Sequence, residues 1–336
     1  MEITQSITNE QTLPKRYKNE INRFWQTGTF SSFQGVDDIR INFAIFCQAN
    51  QHKNLVIVPG RSESYIKYQE LSYDFAQQGY NIFILDHRGQ GLSERMLDNP
   101  HKGYVNNFED YAADLNTFIN TYVLPHCVEG TKPYLLAHSM GCAISCLYLA
   151  EHADKIQAAV LSSPMFAINT GKISPQIANG LICFSSKIEK IFANTACYFP
   201  GQKNHDFKAF EDNKLSHSQT RYQIFKELYQ KEKSVQLGGV TTQWLKQAHQ
   251  IKEKIFKQLD KLSTPISVMQ AGADTIVDNQ AQNEFCQQLH QQLPQQCPEQ
   301  KPLVIEGAWH ELFFEQDQYR QPAIAHCLAW FNQHSQ

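Results

Sequence analysis

Short, almost wholly apolar runs alternate along this chain with stretches whose apolar positions recur every three or four residues. The runs are Asn54 to Val58, Asn81 to Leu85, Tyr134 to Leu136, Ala158 to Leu161, Ile266 to Gln270 and Leu303 to Ile305. Their length and their lack of a polar face predict strands buried on both sides. The periodic stretches predict helices over Tyr68 to Gln78, Phe108 to Val123, Asn279 to Leu289 and Gln318 to Phe331, the first stopped by Gly79 in the manner of a glycine cap. Strands and helices in alternation imply an α/β fold with a mostly parallel central sheet and helices on both faces. Ahead of this rhythm, alternating patterns at Thr29 to Phe33 and Ile39 to Phe46, separated by Gly35-Val36-Asp37-Asp38, predict an antiparallel hairpin. An amphipathic helix is also predicted from Lys15 to Trp25, with Ile21, Phe24 and Trp25 as anchors among basic residues. Such a helix either packs on the domain or lies on a membrane surface.

The rhythm breaks once. From Phe166 to about Leu259 no buried-strand pattern is present, and the stretch reads as helical, aromatic and lysine-rich. The chain therefore divides into a first core part (residues 1–165), a helical cap or lid insertion (166–259) and a second core part (260–336). An insertion at the carboxyl ends of parallel strands overhangs the crevice where such sheets bind ligands. Phe184, Ile188, Ile191, Phe192, Tyr198 and Phe199 are compatible with a channel for an acyl chain, although aromatics at helical spacing are more often plain core. The Gln-rich stretch near Gln287 to Gln300 reads as a polar helix end and loop.

Composition narrows the class. With 42% hydrophobic and 19% charged residues among 336, the chain is globular rather than disordered. A net charge of −3 and a pI near 6.5 argue against a nucleic-acid partner, which calls for a basic face. The N-terminal residues lack the basic start and apolar core of a secretory signal, and no apolar run approaches the ~18–20 residues needed to span a bilayer. Nine cysteines with no paired spacing read as reduced thiols. The expectation is a cytoplasmic protein, at most peripheral to the inner membrane. Cys142 and Cys146 lie four apart on a predicted helix, but no matching His or Cys pair completes a metal site. Nothing in the sequence sets the oligomeric state.

Candidate chemistry centres on Ala137-His138-Ser139-Met140-Gly141, between a predicted strand and a run of small and apolar residues that predicts a helix. This is the layout of a nucleophile elbow, with a serine at a strained strand-to-helix turn. Ala137 stands where Gly is usual, which tightens the turn by one methyl. A serine hydroxyl needs a base, and the base needs a third group to hold its tautomer. Asp274 follows the strand Ile266 to Gln270, and His310 follows the last strand, Leu303 to Ile305. The order Ser139, Asp274, His310, each just past a predicted strand, is that expected of α/β-hydrolases. Asp278 is a rival acid, less favoured because it lies farther from its strand end. Ser93, in Gly89-Gln90-Gly91-Leu92-Ser93, is a rival serine with no base positioned for it. Since the base must be neutral, activity is expected to fall as pH drops through roughly 6–7. The backbone N–H groups of Met140 and of Arg61, in the loop Val58-Pro59-Gly60-Arg61, are the candidate oxyanion hole. The Arg61 side chain is either a surface cation or an attractor of an anionic head group. A dinucleotide-binding reading of Gly89-Gln90-Gly91 fails because Glu94 stands where the third glycine belongs. A lipid-binding module without turnover is the remaining non-enzymatic reading.

These motifs carry a resemblance spanning nearly the whole chain. Val58-Pro59-Gly60-Arg61, Asp86-His87-Arg88-Gly89-Gln90-Gly91 and the segment around Ser139 resemble the monoacylglycerol-lipase-like branch of the α/β-hydrolases. The segments Glu63 to Tyr68, Leu215 to Ser218, Gly238 to Thr241, Val277 to Asn279 and Gly307 to Glu311 are similar to bacterial lysophospholipases of the L2 type. Cys142 departs from the pattern, where a second glycine often follows the elbow. The resemblance implies catalytic roles for Ser139, Asp274 and His310 and no metal or organic cofactor. Its implied substrate is a lysophospholipid; the alternatives are a monoacylglycerol lipase or a broad-specificity esterase or acyltransferase. Peripheral contact with a membrane surface would follow from such a substrate.

Overall fold

Eight strands form one sheet in the computed structural model, which describes residues 7–48, 51–169, 171, 177, 180–182, 184–187 and 195–335. They are β1 (Thr29–Gln34), β2 (Arg40–Phe46), β3 (Lys53–Val58), β4 (Tyr80–Leu85), β5 (Tyr134–His138), β6 (Ala159–Ser162), β7 (Ile266–Ala271) and β8 (Leu303–Ile305). The spatial order is β1-β2-β4-β3-β5-β6-β7-β8. β1 and β2 make the predicted antiparallel hairpin, and β2 joins β4 antiparallel. From β4 to β8 every pairing is parallel.

The main helices are α1 (Gln69–Gln77), α2 (Glu109–Phe118), α3 (Met140–His152), α4 (Gln219–Lys231), α5 (Thr242–Phe256), α6 (Asn279–Gln292) and α7 (Asp317–Gln333). Successive side chains of a strand point to opposite faces, and here both faces find apolar partners. Val56, Val58, Phe83, Leu85, Leu135 and Ala137 pack with α2, α3, α5 and α6. Their neighbours Leu55, Ile57, Ile82, Ile84, Tyr134 and Leu136 pack with α1 and α7. Burial of each large side chain contributes ~1.5–3 kcal/mol, which is why the strands read as unbroken apolar runs. α2 continues through a π-helical turn, Ile119–Val123, and a short 3-10 turn carrying Pro125 ends it.

Helical turns over 13–25 bury Leu13, Ile21 and Phe24, and Phe24 and Trp25 stack on Phe46 at 4.8 and 4.7 Å. The anchors of the predicted basic helix are thus spent on the core, in agreement with packing on the domain. Among the described residues, no helix is long and apolar enough to cross a membrane.

Between β6 and β7 the described residues hold helices, including α4 and α5, and no strand. Ile188, Ile191 and Phe192 lie outside the described residues. Arg221 of α4 ties this segment to the core through Glu70 of α1 and Asp317 of α7, each at 2.9 Å. Arg320 of α7 lies 3.4 Å from Glu70 and 2.7 Å from Asp74, and Thr8 donates to both carboxylates. Burial works against the charged form of Glu70, but Arg320 and Arg221 outweigh it and hold its pKa at about 2. A depressed carboxyl stabilises the fold fully above its unfolded pKa and loses that contribution as pH falls through its folded value. Glu70 is therefore expected to contribute on the order of 2–3 kcal/mol that disappears between pH ~4.5 and ~2. Urea unfolding of wild type and Glu70→Gln tests it. The variant should be less stable near neutrality and show a shallower loss on acidification, and an identical acid slope would contradict the assignment.

Candidate active site

Ser139 occupies a backbone conformation that few non-glycine residues adopt. β5 ends at His138, Ser139 follows at φ 52°, ψ −115°, and α3 begins at Met140. The turn is held because the Ser139 N–H donates to Ser162 O (2.9 Å) and its carbonyl accepts from Cys142 N (3.0 Å) and Met165 N (3.1 Å). Strain of this kind persists only when its surroundings over-determine it. Gly141 is one reason the turn closes: a Cβ there would lie 2.2 Å from the Val58 carbonyl oxygen. Cys142 is accommodated by pointing its thiol at Ser162 O, 3.4 Å away.

The structure brings Ser139, His310 and Asp274 into one line. His310 Nε2 lies 2.9 Å from Ser139 Oγ, and His310 Nδ1 lies 2.7 Å from Asp274 Oδ2. An ionised carboxylate only accepts, so Nδ1 carries the proton and Nε2 offers its lone pair to the serine hydroxyl. The second oxygen of Asp274 accepts the N–H groups of Ile276 (2.7 Å) and Val277 (3.2 Å). Burial would raise the pKa of Asp274, but the hydrogen bond and charge of His310, with those two N–H groups, take it below the ordinary aspartate value. The carboxylate is thus both charged and fixed in place.

The rival residues have other work. Asp278 accepts the Gln280 N–H at 2.9 Å and caps α6. Ser93 Oγ donates to Asp86 O (2.7 Å) and accepts from Asn42 N (2.8 Å), which joins the loop after β4 to β2.

The loop after β3 lies against the serine. A Cβ on Gly60 would sit 3.2 Å from Ser139 Cβ and 2.9 Å from His138 Nδ1, so a side chain there would crowd both residues. Among the described residues, neither the Arg61 nor the Met140 backbone N–H donates a hydrogen bond. Met140 is the first residue of α3, where an uncommitted N–H and the helix dipole favour negative charge.

Next to these three residues lies a polar cluster that the sequence reading missed. Glu63 is buried and accepts from the Gly60 N–H (2.5 Å), the Lys67 ammonium (2.8 Å), the Tyr68 hydroxyl and His138 Nδ1 (3.1 Å). Lys67 also reaches Glu311 at 2.6 Å, and His138 Nε2 lies 3.3 Å from the His310 carbonyl. Both nitrogens of His138 face acceptors. Burial opposes its charge, but Glu63 and Glu311 prevail and its pKa is raised, while Lys67 and His138 hold Glu63 well below the ordinary carboxylate range. In sequence, Glu63 and Lys67 are only an (i, i+4) pair and His138 only the neighbour of the candidate serine, with nothing local to join them.

A cavity of about 840 Å³ opens above Ser139 and His310. Arg61 and Met165 form part of its wall from the core, and Ile182, Phe199, Val240 and Trp244 form part of it from the segment between β6 and β7. The size suits a small amphiphile.

Comparison with known proteins bears on this geometry. A family model described as serine aminopeptidase, S33, matches residues 49–317. Lysophospholipase L2 of Escherichia coli (strain K12) is 35% identical over 93% of this chain and 90% of its own length. Probable lysophospholipase L2 of Haemophilus influenzae is 31% identical over 81% of each chain. A crystal structure of a soluble variant of monoglyceride lipase from Saccharomyces cerevisiae, in complex with a substrate analog, superposes with a TM-score of 0.69 at 18% identity. That match covers 92% of this chain and 94% of the other, and it identifies the fold.

Proposed function

Because the chain belongs to the Hydrolase_4 family, described as serine aminopeptidase, S33, we propose that it is a serine carboxylester hydrolase cleaving the fatty-acyl ester of lysophospholipids. The observation that carries the chemistry is the hydrogen-bonded line from Asp274 through His310 to Ser139, opening on a cavity with apolar walls. The lysophospholipid is chosen because the likeness to lysophospholipase L2 runs over nine-tenths of both chains, where the family description names a peptidase.

In this reading Ser139 Oγ attacks the ester carbonyl as His310 Nε2 takes its proton. Charge builds on the carbonyl oxygen, and the Arg61 and Met140 N–H groups receive it. His310 then returns the proton to the glycerol oxygen as the C–O bond breaks, which leaves an acyl-enzyme on Ser139 and frees the glycerophosphodiester. Water attacks the acyl-enzyme by the same route and releases the fatty acid. Asp274 orients His310 and stabilises its transient cation. An alcohol on a second lipid in place of water would give acyl transfer. Residues 166–259 act as the cap over the site, since they supply much of the cavity wall.

Monoacylglycerol is the second reading, because it presents the same ester and differs only in the head group. Contact with a lipid surface belongs to the same proposal. Ile177, Leu181 and Phe184 are 60%, 47% and 63% exposed at helical spacing, and Leu181 also lines the cavity. The protein would work in the cytoplasm at the inner face of the membrane.

A panel of a lysophospholipid, a monoacylglycerol of the same chain and a short nitrophenyl ester tests this, each offered as monomers and in liposomes. The lysophospholipid is expected to give the highest kcat/KM, with a further rise on liposomes. If a neutral ester exceeds it by roughly tenfold, the substrate assignment falls and the esterase assignment stands. Failure of Ser139 to label with a fluorophosphonate would instead favour a binding module.

A further inference from the structure

Arg61 lines the cavity, and among the described residues its guanidinium has no counter-charge. One terminal nitrogen donates to Gly238 O (2.5 Å), the other to Ser62 Oγ (3.0 Å), and the group lies 5.2 Å from the centre of the Trp244 ring. Its Nε is buried without a hydrogen-bond partner. Every one of these neighbours is neutral. Among the described residues no carboxylate pairs with Arg61, whereas the buried arginines Arg88, Arg221 and Arg320 each hold an Asp or Glu. Burial lowers the Arg61 pKa to about 10, so it is a cation at neutral pH. A partly buried charge without a counter-ion is costly, and an arriving anion offsets that cost. The side chain is also fixed in place. A Cβ on Gly103 would meet its Nη2 at 2.6 Å, and Gly103 N donates to Gly239 O at 2.9 Å.

We propose that the Arg61 guanidinium is a phosphate subsite, receiving the phosphodiester of a head group while the acyl ester lies at Ser139. The inference rests on the ester-hydrolase reading above and adds to it the feature that separates a lysophospholipid from a monoacylglycerol. In the substrate, ester carbonyl and phosphate are separated by the few bonds of a glycerol backbone. In the protein, the Arg61 backbone N–H, a proposed oxyanion donor, and the Arg61 guanidinium belong to one residue and are separated by the length of its side chain. One residue would therefore serve both the ester carbonyl and the phosphate. The guanidinium still has N–H groups to give, and charge-assisted bonds to a phosphate are the strong ones.

The test compares wild type, Arg61→Gln and Arg61→Lys on oleoyl lysophosphatidylglycerol and mono-oleoylglycerol, both below their micelle concentrations. The ratio of the two kcat/KM values is expected to fall about 10- to 100-fold in Arg61→Gln. Arg61→Lys should recover part of it, since a point charge replaces the fork. A ratio unmoved within about threefold, with both rates falling together, would make Arg61 a structural tie to Gly238 and overturn the proposal. A second arm needs only the wild type. Glycerophosphoglycerol should compete with mono-oleoylglycerol, and inorganic phosphate should compete far less. Equal inhibition by inorganic phosphate, or none by the glycerophosphodiester, counts against a head-group site. Wild-type turnover of the lysophospholipid with an unmoved ratio sinks this inference alone, whereas no ester turnover at all sinks the reading beneath it as well.

Discussion

Ser139→Ala is expected to lower kcat/KM on any ester substrate by ~10⁴- to 10⁶-fold while leaving substrate binding and the fold intact. The substitution removes one oxygen whose side-chain hydrogen bond is to His310. The turn does not depend on that oxygen, because the Ser139 backbone bonds to Ser162, Cys142 and Met165 hold it. The loss should fall on kcat, since the proposed nucleophile acts on bound substrate. A small rate above water should survive from the Arg61 and Met140 N–H groups and from binding. Steady-state kinetics with fluorophosphonate labelling measures both. Turnover retained within tenfold would remove Ser139 as the nucleophile and, with it, the covalent route.

Asp274→Asn is the second large effect, with an expected loss of about 10⁴-fold in kcat. An amide of the same shape can present an N–H to His310 Nδ1, which then serves as acceptor and leaves the proton on Nε2, facing Ser139. The imidazole would be in the wrong tautomer to take the serine proton. Asp274 also receives the Ile276 and Val277 N–H groups through Oδ1, and the carbonyl of asparagine can keep those bonds. The variant should therefore fold and lose activity, separating a tautomer effect from a packing effect. A loss below about tenfold would point to an acid elsewhere, with Asp278 first to be examined.

Much of this was legible in the chain because its causes are local or repeat in sequence. Buried parallel strands are apolar on both faces, so β3 to β8 declared themselves as short runs, each found within a residue or two of its expected bounds. The site residues lie one, three and five residues past β5, β7 and β8, and a parallel sheet carries such positions to one rim. Arg61 and Met140 were named as candidates for the same reason. Glu63, Lys67, His138 and Glu311 were not. Charged side chains read singly as solvated surface, and Glu63, Lys67 and His138 are buried, with Glu311 partly so, only because three distant segments place opposite charges together. Trp244 was missed because it lies on the same buried face of α5 as Ala248, Ile251 and Ile255, and spacing alone does not separate a cavity wall from core packing. The π-helical end of α2 has no signature in an apolar run.

Lys67 gives the site a common anchorage. On one side it holds Glu311, the residue after the proposed base; on the other it holds Glu63, which grips the Gly60 amide beside the proposed oxyanion donor. The two loops hang from one tie-beam, so thermal drift in either is shared by the other. The path a proton must hop and the spot where negative charge gathers stay in register, and a jolt to one half of the machinery is felt by both.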